Sequence, residues 1–278
     1  MEARYQYKEL INMHTNVDTL FANMWQDYVA ITPSANKIHQ LLGRGDDIIN
    51  DHVAFRTFNH PKVNVAKLAA HLLALGYEEK GDYVFEQKKL KAKHYEHSDP
   101  TKPKVFISEL LVEEFSDKLQ AVVQRIVDQI DEAAVSAENF LYSGTQWKIT
   151  TAEYEQLLEE SEYAAWLAAW GYRPNHFTVS VNYLKGYDSL EAVNQALKDA
   201  GFRLNTSGGE IKGGRDVCLA QSSTMADKMP VEFADKTMEI PSCFYEFAER
   251  FEMANGELYT GFVAASADKI FESTNAKG

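Results

Sequence analysis

Two segments of this chain run through the same order of residue types, and that repetition restricts the fold more than any other feature. One begins Asp51-His52-Val53-Ala54-Phe55-Arg56-Thr57-Phe58, the other Asn175-His176-Phe177-Thr178-Val179-Ser180-Val181-Asn182. Runs this rich in Val, Phe and Thr read as strands. An amphipathic stretch follows each, Val63 to Leu75 and Ser189 to Ala200, and both end alike, in Leu75-Gly76-Tyr77 and Ala200-Gly201-Phe202. Glycine at that point is a usual helix stop. A repeated strand, helix and three strands predicts two equivalent βαβββ modules side by side. The expected class is α+β, with one curled mixed sheet around a central site.

The rest of the chain is assigned around these modules. One domain over 1–278 is expected, with a helical N-terminal segment (1–50), the first module (51–111), a helical insert (112–173), the second module (174–251) and a C-terminal segment (252–278). The N-terminal stripe runs through Leu10, Met13, Val17, Leu20, Met24 and Tyr28 at three- and four-residue intervals, as on one helix face. In the first module Tyr83 to Glu86 and Lys104 to Leu110 read as strands around a polar, basic loop. In the second, Asp216 to Gln221 is strand-like, and the extra length is expected between Thr224 and Ile240. No low-complexity linker separates the modules, so the insert is expected to pack on the core.

Composition excludes some functions. A formal net charge of -13 argues against a nucleic-acid partner, because such proteins need basic patches to neutralise phosphates. Two cysteines, Cys218 and Cys243, give no disulfide framework and suit a reducing cytosol. No apolar run is long enough for a signal peptide or a membrane span, so a cytoplasmic protein without a membrane partner is expected.

On a strand, alternate side chains share a face, so His52, Ala54 and Arg56 point one way. His176, Thr178, Ser180 and Asn182 share another face, a polar one for a strand in a core. Four strand residues separate the His52 and Arg56 Cα atoms by roughly 13 Å. A small molecule can then meet a metal at one end and a guanidinium at the other. Because a guanidinium pairs best with a carboxylate, this favours a substrate with two anionic ends. Two His and one carboxylate, Glu246, match an open facial site for iron(II). Isolated histidines on strands are also common without any metal, and spacing alone leaves both readings open.

The segments around His52 and His176, together with Gln221-Ser222-Ser223-Thr224 and Tyr245-Glu246-Phe247-Ala248-Glu249-Arg250, resemble those of the 2-oxoadipate dioxygenase/decarboxylase family. The resemblance covers most of the chain from about Asp51 onward. It implies a vicinal oxygen chelate-like fold, Fe(II), O₂ and a 2-oxo acid that is decarboxylated and hydroxylated. The reaction that names the family turns 2-oxoadipate into 2-hydroxyglutarate with release of CO₂. Carried over by position, His52, His176 and Glu246 match the iron ligands, and Arg56 matches the arginine for the substrate carboxylate. The alternatives are Zn²⁺, Ni²⁺ or Mn²⁺ on the same site doing hydrolase, isomerase or lyase chemistry, or a small-ligand binding protein.

Other residues carry weaker expectations. Glu109 is aligned with Glu246 across the repeat and is expected to support a ligating imidazole rather than bind metal itself. Gln221 and Ser223 are candidates to touch substrate. His94 and His97 have a spacing that would bind metal on a helix, but their charged neighbours favour a solvated loop. Ser207 to Gly214 lacks the Gly-Lys-Ser/Thr ending of a phosphate loop and reads as a turn or lid. Tyr259 to Glu272 could cover the cavity.

Overall fold

Strand β1, Asn50–Phe58, is buried at every position but the first, and the rest of the molecule is laid out around it. The computed structural model describes residue 14 and residues 16–45 and 47–275. Leu10 and Met13 of the expected N-terminal stripe lie outside them. Helices α1 (Val17–Ile31) and α2 (Pro33–Gly43) precede β1 and bring Trp25 and Tyr28 onto Phe177 and Tyr245. After β1 come α3 (Val65–Leu73), β2 (Tyr77–Phe85), β3 (Leu90–His97) and β4 (Lys104–Leu110). The insert holds α4 (Asp117–Asp128), α5 (Glu132–Val135), α6 (Thr151–Glu160) and α7 (Glu162–Trp170). The second module has β5 (His176–Ser180), α8 (Leu190–Asp199), β6 (Lys212–Gly214), β7 (Leu219–Ser223), the hairpin β8 (Lys228–Glu232) and β9 (Thr237–Pro241), then β10 (Phe244–Arg250). A last helix, α9 (Ala264–Ile270), runs into a 3₁₀ turn, Phe271–Thr274.

Eight strands form one sheet in the order β2-β3-β4-β1-β5-β10-β7-β6. β1 pairs parallel with β4, β5 pairs parallel with β10, and β1 and β5 meet antiparallel at the centre. The two βαβββ modules are thus related about the β1–β5 seam, as the repeat predicted. The surplus of the second module is the separate β8–β9 hairpin, inside the stretch expected to hold it.

The register makes the equivalence exact in residue terms. His52 pairs with Lys104 and His176 with Phe244, so Lys104 corresponds to Phe244 and Phe106 to Glu246. Three residues further on, Glu109 corresponds to Glu249. Both do the same work: Glu109 Oε2 accepts from the Val65 amide at 2.9 Å, and Glu249 Oε2 accepts from the Leu190 amide at 2.8 Å. These are the first amides of α3 and α8, where unpaired N–H groups and the helix dipole favour a carboxylate. Gly76 and Gly201 stop the two helices at φ +98° and +85°, where a side chain would be strained.

Three expectations about local structure fail. Asp216 and Val217 belong to a 3₁₀ turn that ends in left-handed Cys218, and β7 begins only at Leu219. Lys91 to His97 is not a loop but part of β3, with Ala92 and His94 buried and Lys91 exposed. Its alternation was hidden because both ladder neighbours, β2 and β4, supply the pairing that the composition does not suggest. Lys212, Gly213 and Gly214 of the glycine-rich stretch form β6 at the sheet edge. The insert does pack on the core. The Tyr163 hydroxyl on α7 accepts from the Thr57 amide at 3.0 Å and bonds the Ser108 carbonyl at 2.7 Å.

Candidate active site

Three strands bring the donor groups together in one row. His52 on β1 is opposite Thr178 on β5, which is opposite Glu246 on β10. Thr178 is small, so the imidazole and carboxylate flanking it can converge over it. His176 lies two residues earlier on β5, diagonal to His52, with ring centroids 5.5 Å apart and nearly perpendicular. One donor atom from each of His52, His176 and Glu246 lies within 4.8 Å of the others, and all three residues are buried. His176 Nε2 is 3.1 Å from Glu246 Oε2, and His52 Nε2 is 3.5 Å from Glu246 Oε1.

Each imidazole is oriented by the residue just before it. His52 Nδ1 bonds Asp51 Oδ1 at 2.7 Å, and His176 Nδ1 bonds Asn175 Oδ1 at 3.1 Å. An acceptor at Nδ1 keeps the proton there and leaves the Nε2 lone pair facing the cluster, as a metal ligand requires. Strict alternation would turn Asp51 away from His52. The β1–β5 register slips between Asn50 and His52, and this bulge places Asp51 beside the ring. Asp51 in turn receives a fork from Arg250, Nε to Oδ2 at 2.6 Å and Nη2 to Oδ1 at 2.9 Å. Neither Asp51, Asn175 nor Arg250 was singled out as a site residue from sequence. The only available signal was that both histidines follow an Asx residue.

Glu246 is fully buried, and Gln221 Nε2 donates to its Oε1 at 2.6 Å, while Oε2 has no hydrogen-bond partner. Burial pushes the Glu246 carboxyl up. Together the two nearby imidazoles and the Gln221 hydrogen bond outweigh it and leave the group below its usual value. Burial lowers the His176 imidazole against the opposing pull of Glu246. The ionised carboxylate and neutral imidazole forms are the ones that bind metal. Two fixed Nε2 donors and a buried carboxylate oxygen without a donor therefore fit a metal ion well, and a three-donor set leaves coordination positions open.

Arg56 lines the same cavity and is 2% exposed. Its guanidinium is about 5 Å from the ring centres of Tyr163 and Trp166, and Nη2 donates to Thr274 Oγ1 at 3.0 Å. Nε and Nη1 have no hydrogen-bond partner, although Glu162 Oε1 is 3.8 Å from Nη1. Burial lowers the Arg56 pKa, with Glu162 opposing that shift. A buried cation with two nitrogens lacking hydrogen-bond partners suits an anion.

The cavity is closed by Phe262, Ile270 and Phe271 of the C-terminal stretch expected to cover it. In this form it holds about 30 Å³, room for about one water. On the outer side of Arg56 and Phe271 lies a cleft of about 420 Å³, lined by Lys88, Lys89 and Glu162 among others. Gln221 faces the cavity through Glu246, whereas Ser223 is bonded to Ser273 Oγ at 2.8 Å, so its hydroxyl holds the C-terminal turn. Glu109 is not near the cluster. Its correspondence to Glu246 is overturned by the ladder register, which places Phe106 there and sends the Glu109 carboxylate to the start of α3. His94 is occupied by the Tyr83 hydroxyl and Glu96, each at 2.9 Å, and forms no pair with His97.

Two βαβββ modules curling one sheet around two imidazoles and a carboxylate give a vicinal oxygen chelate-like fold, with three donors that could hold a metal ion. A Ralstonia eutropha JMP134 protein described as a candidate glyoxalase-superfamily member shares this fold, at TM-score 0.75 and 22% identity over 89% of this chain and 86% of that one. The chain belongs to the 2-oxoadipate dioxygenase/decarboxylase family, whose model matches residues 3–257. It is 36% identical to the chloroplastic 2-oxoadipate dioxygenase/decarboxylase of Arabidopsis thaliana, over 89% of this chain and 74% of that protein. The rice hydroxyglutarate synthase, solved in complex with 2-oxoadipate, superposes at TM-score 0.83 with 34% identity, covering 93% of this chain and 92% of that one. A Shewanella frigidimarina protein described as a candidate hydrolase superposes at TM-score 0.89 with 64% identity, covering 91% and 100%. No helix among the described residues is long and apolar enough to cross a membrane.

Proposed function

We propose that this chain is an Fe(II)-dependent dioxygenase that decarboxylates and hydroxylates a 2-oxo dicarboxylic acid, 2-oxoadipate, to 2-hydroxyglutarate and CO₂. The observation that carries this reading is the pairing of opposite needs in one cavity. His52, His176 and Glu246 converge on one side, and a buried Arg56 with two unpartnered nitrogens lines the same cavity. The name of the rice protein's ligand supports a 2-oxo acid of this type.

His52 Nε2, His176 Nε2 and a Glu246 oxygen would hold the iron. Iron(II) supplies what no side chain here can, the activation of O₂ beside a 2-oxo acid. Arg56 binds the carboxylate remote from the keto group and so sets which carbon lies near the metal end. Asp51 and Asn175 keep the Nδ1 protons in place, and Gln221 fixes the free rotation of Glu246. Phe262, Ile270 and Phe271 exclude water, which favours reaction of the substrate over side reactions. A six-carbon acid enters only when this C-terminal cover shifts, and the basic cleft beside Lys88 and Lys89 is the proposed way in. An acidic chain whose two cysteines are unpaired suits a reducing compartment such as the cytosol.

The test is to load anaerobically purified protein with Fe(II), add 2-oxoadipate and air, and assay products. One O₂ consumed per CO₂ and per 2-hydroxyglutarate is expected. The name of the Shewanella relative favours a second reading, metal-dependent hydrolysis; turnover that leaves O₂ untouched would select it.

A further inference from the structure

The two ligating-type histidines are held differently, and the difference involves a residue that touches no donor atom. Asn175 beside His176 is neutral, and its Nδ2 has no partner. Asp51 beside His52 is a buried carboxylate gripped by the Arg250 fork. Arg250 does more than neutralise it. Its third nitrogen, Nη1, donates to the Tyr259 carbonyl at 3.0 Å and the Gly261 carbonyl at 2.8 Å. Those carbonyls flank the approach to Phe262, whose ring stands edge-on to His52 at 4.8 Å and lies 5.4 Å from the guanidinium. The Phe262 amide is tied to the Tyr83 hydroxyl at 3.2 Å.

One planar group therefore bonds both the carboxylate that orients His52 and the loop that places a ring over it. Lysine could not do this, since it offers a point charge and not a rigid fork. In the first module the register puts Leu110 at the corresponding place, so the feature is not inherited from the repeat.

We propose that Arg250 is a positioning residue that acts through Asp51 on His52 and couples closure of the 259–262 loop to metal retention. It follows that the loop does not lift without loosening the hold on His52, and that a filled metal site protects the loop. The proposal concerns the metal end of the cavity only and holds whatever the substrate.

A double-mutant cycle read out as metal affinity tests it, with cobalt(II) as the spectroscopic probe and anaerobic iron(II) as the check. Asp51→Asn copies the arrangement at Asn175, and Arg250→Gln removes the fork. Each is expected to weaken metal binding roughly 10–100-fold, the range for groups that orient a ligand from behind. The double variant should be no weaker than the worse single, because both break one chain of contacts. Amide exchange in residues 259–262 should slow when metal is added to the wild type and quicken in Arg250→Gln, where added metal should no longer slow it, while Asp51→Asn keeps the loop bonds and should change the metal-free rate little. Factors that multiply in the double variant, or unchanged cobalt(II) affinity in Arg250→Gln, would overturn the proposal. If Arg250→Gln does not fold, Arg250→Lys takes its place in the cycle, with the same outcomes deciding.

Discussion

The two modules share a backbone plan and differ in what they aim at the cavity. Both start a strand with an Asx-His pair, both cap their helix with a glutamate from the fourth strand, and both stop that helix with glycine. At equivalent positions, however, the second module has Glu246 where the first has Phe106, and the first has Arg56 where the second has Ser180. The first module therefore supplies one donor and the guanidinium, the second two donors. On the proposed function, divergence at these two positions would separate a metal end from an anion end.

The largest expected effect comes from breaking the metal end. Glu246→Ala and His176→Ala should each lose stoichiometric iron and all 2-oxoadipate-dependent O₂ uptake while keeping a folded circular-dichroism spectrum. Iron retained at full occupancy would remove the donor assignment. Breaking the anion end is next. Arg56→Ala deletes charge-assisted hydrogen bonds of about 1.5–3 kcal/mol, which corresponds to a KM for 2-oxo dicarboxylates raised roughly 10–100-fold. Monocarboxylate kinetics should change little; an equal rise for both would cancel the role given to Arg56.

Smaller effects sharpen what the modules have in common. Glu109→Gln and Glu249→Gln should each cost about 0.3–1 kcal/mol, the value of a carboxylate at a helix start, and lower Tm by a few degrees at most. Cobalt(II) affinity should be unchanged in both. A selective loss of metal in Glu109→Gln would restore its link to the site.

A pH-dependent effect contrasts Lys212 with its counterpart in the first module, Tyr83. Lys212 is buried and donates to the Asn205 and Glu210 carbonyls. Burial pulls its pKa down to about 8, with Glu246 and Glu210 opposing. The folded pKa lies below the unfolded value, so the unfolded chain holds more protons between about pH 8 and 10.5. Stability from this group should therefore rise with pH across that window and stay level below it. Urea titrations of wild type and Lys212→Met should show that rise only in wild type; parallel pH profiles would contradict it.

Much of this architecture can be read in the residues, and the gaps have physical causes. Period-two strands with a β-branched and aromatic make-up, plus the paired glycine stops, reveal β1, β5, α3 and α8. β3 escaped because Lys91, Lys93 and Glu96 look like solvent-facing loop residues, although they alternate with buried Ala92 and His94. Glu109 was matched to Glu246 because both are acidic residues near the end of a fourth strand. Only the ladder register shows that Glu249 is its true counterpart. The supports of His52 were hidden for another reason: a bulge at Asp51 and a guanidinium 199 residues away along the chain leave no periodic trace.

The central claim is that one cavity presents a metal to the 2-oxo end and Arg56 to the other end of a dicarboxylate. An oxygen-electrode series on Fe(II)-loaded protein, using 2-oxo acids of graded length with and without a second carboxylate, tests it most directly. The account predicts O₂ uptake that peaks at 2-oxoadipate and drops when the far carboxylate is replaced by a methyl group. Equal uptake with the methyl analogue, or none with any 2-oxo acid, would contradict it.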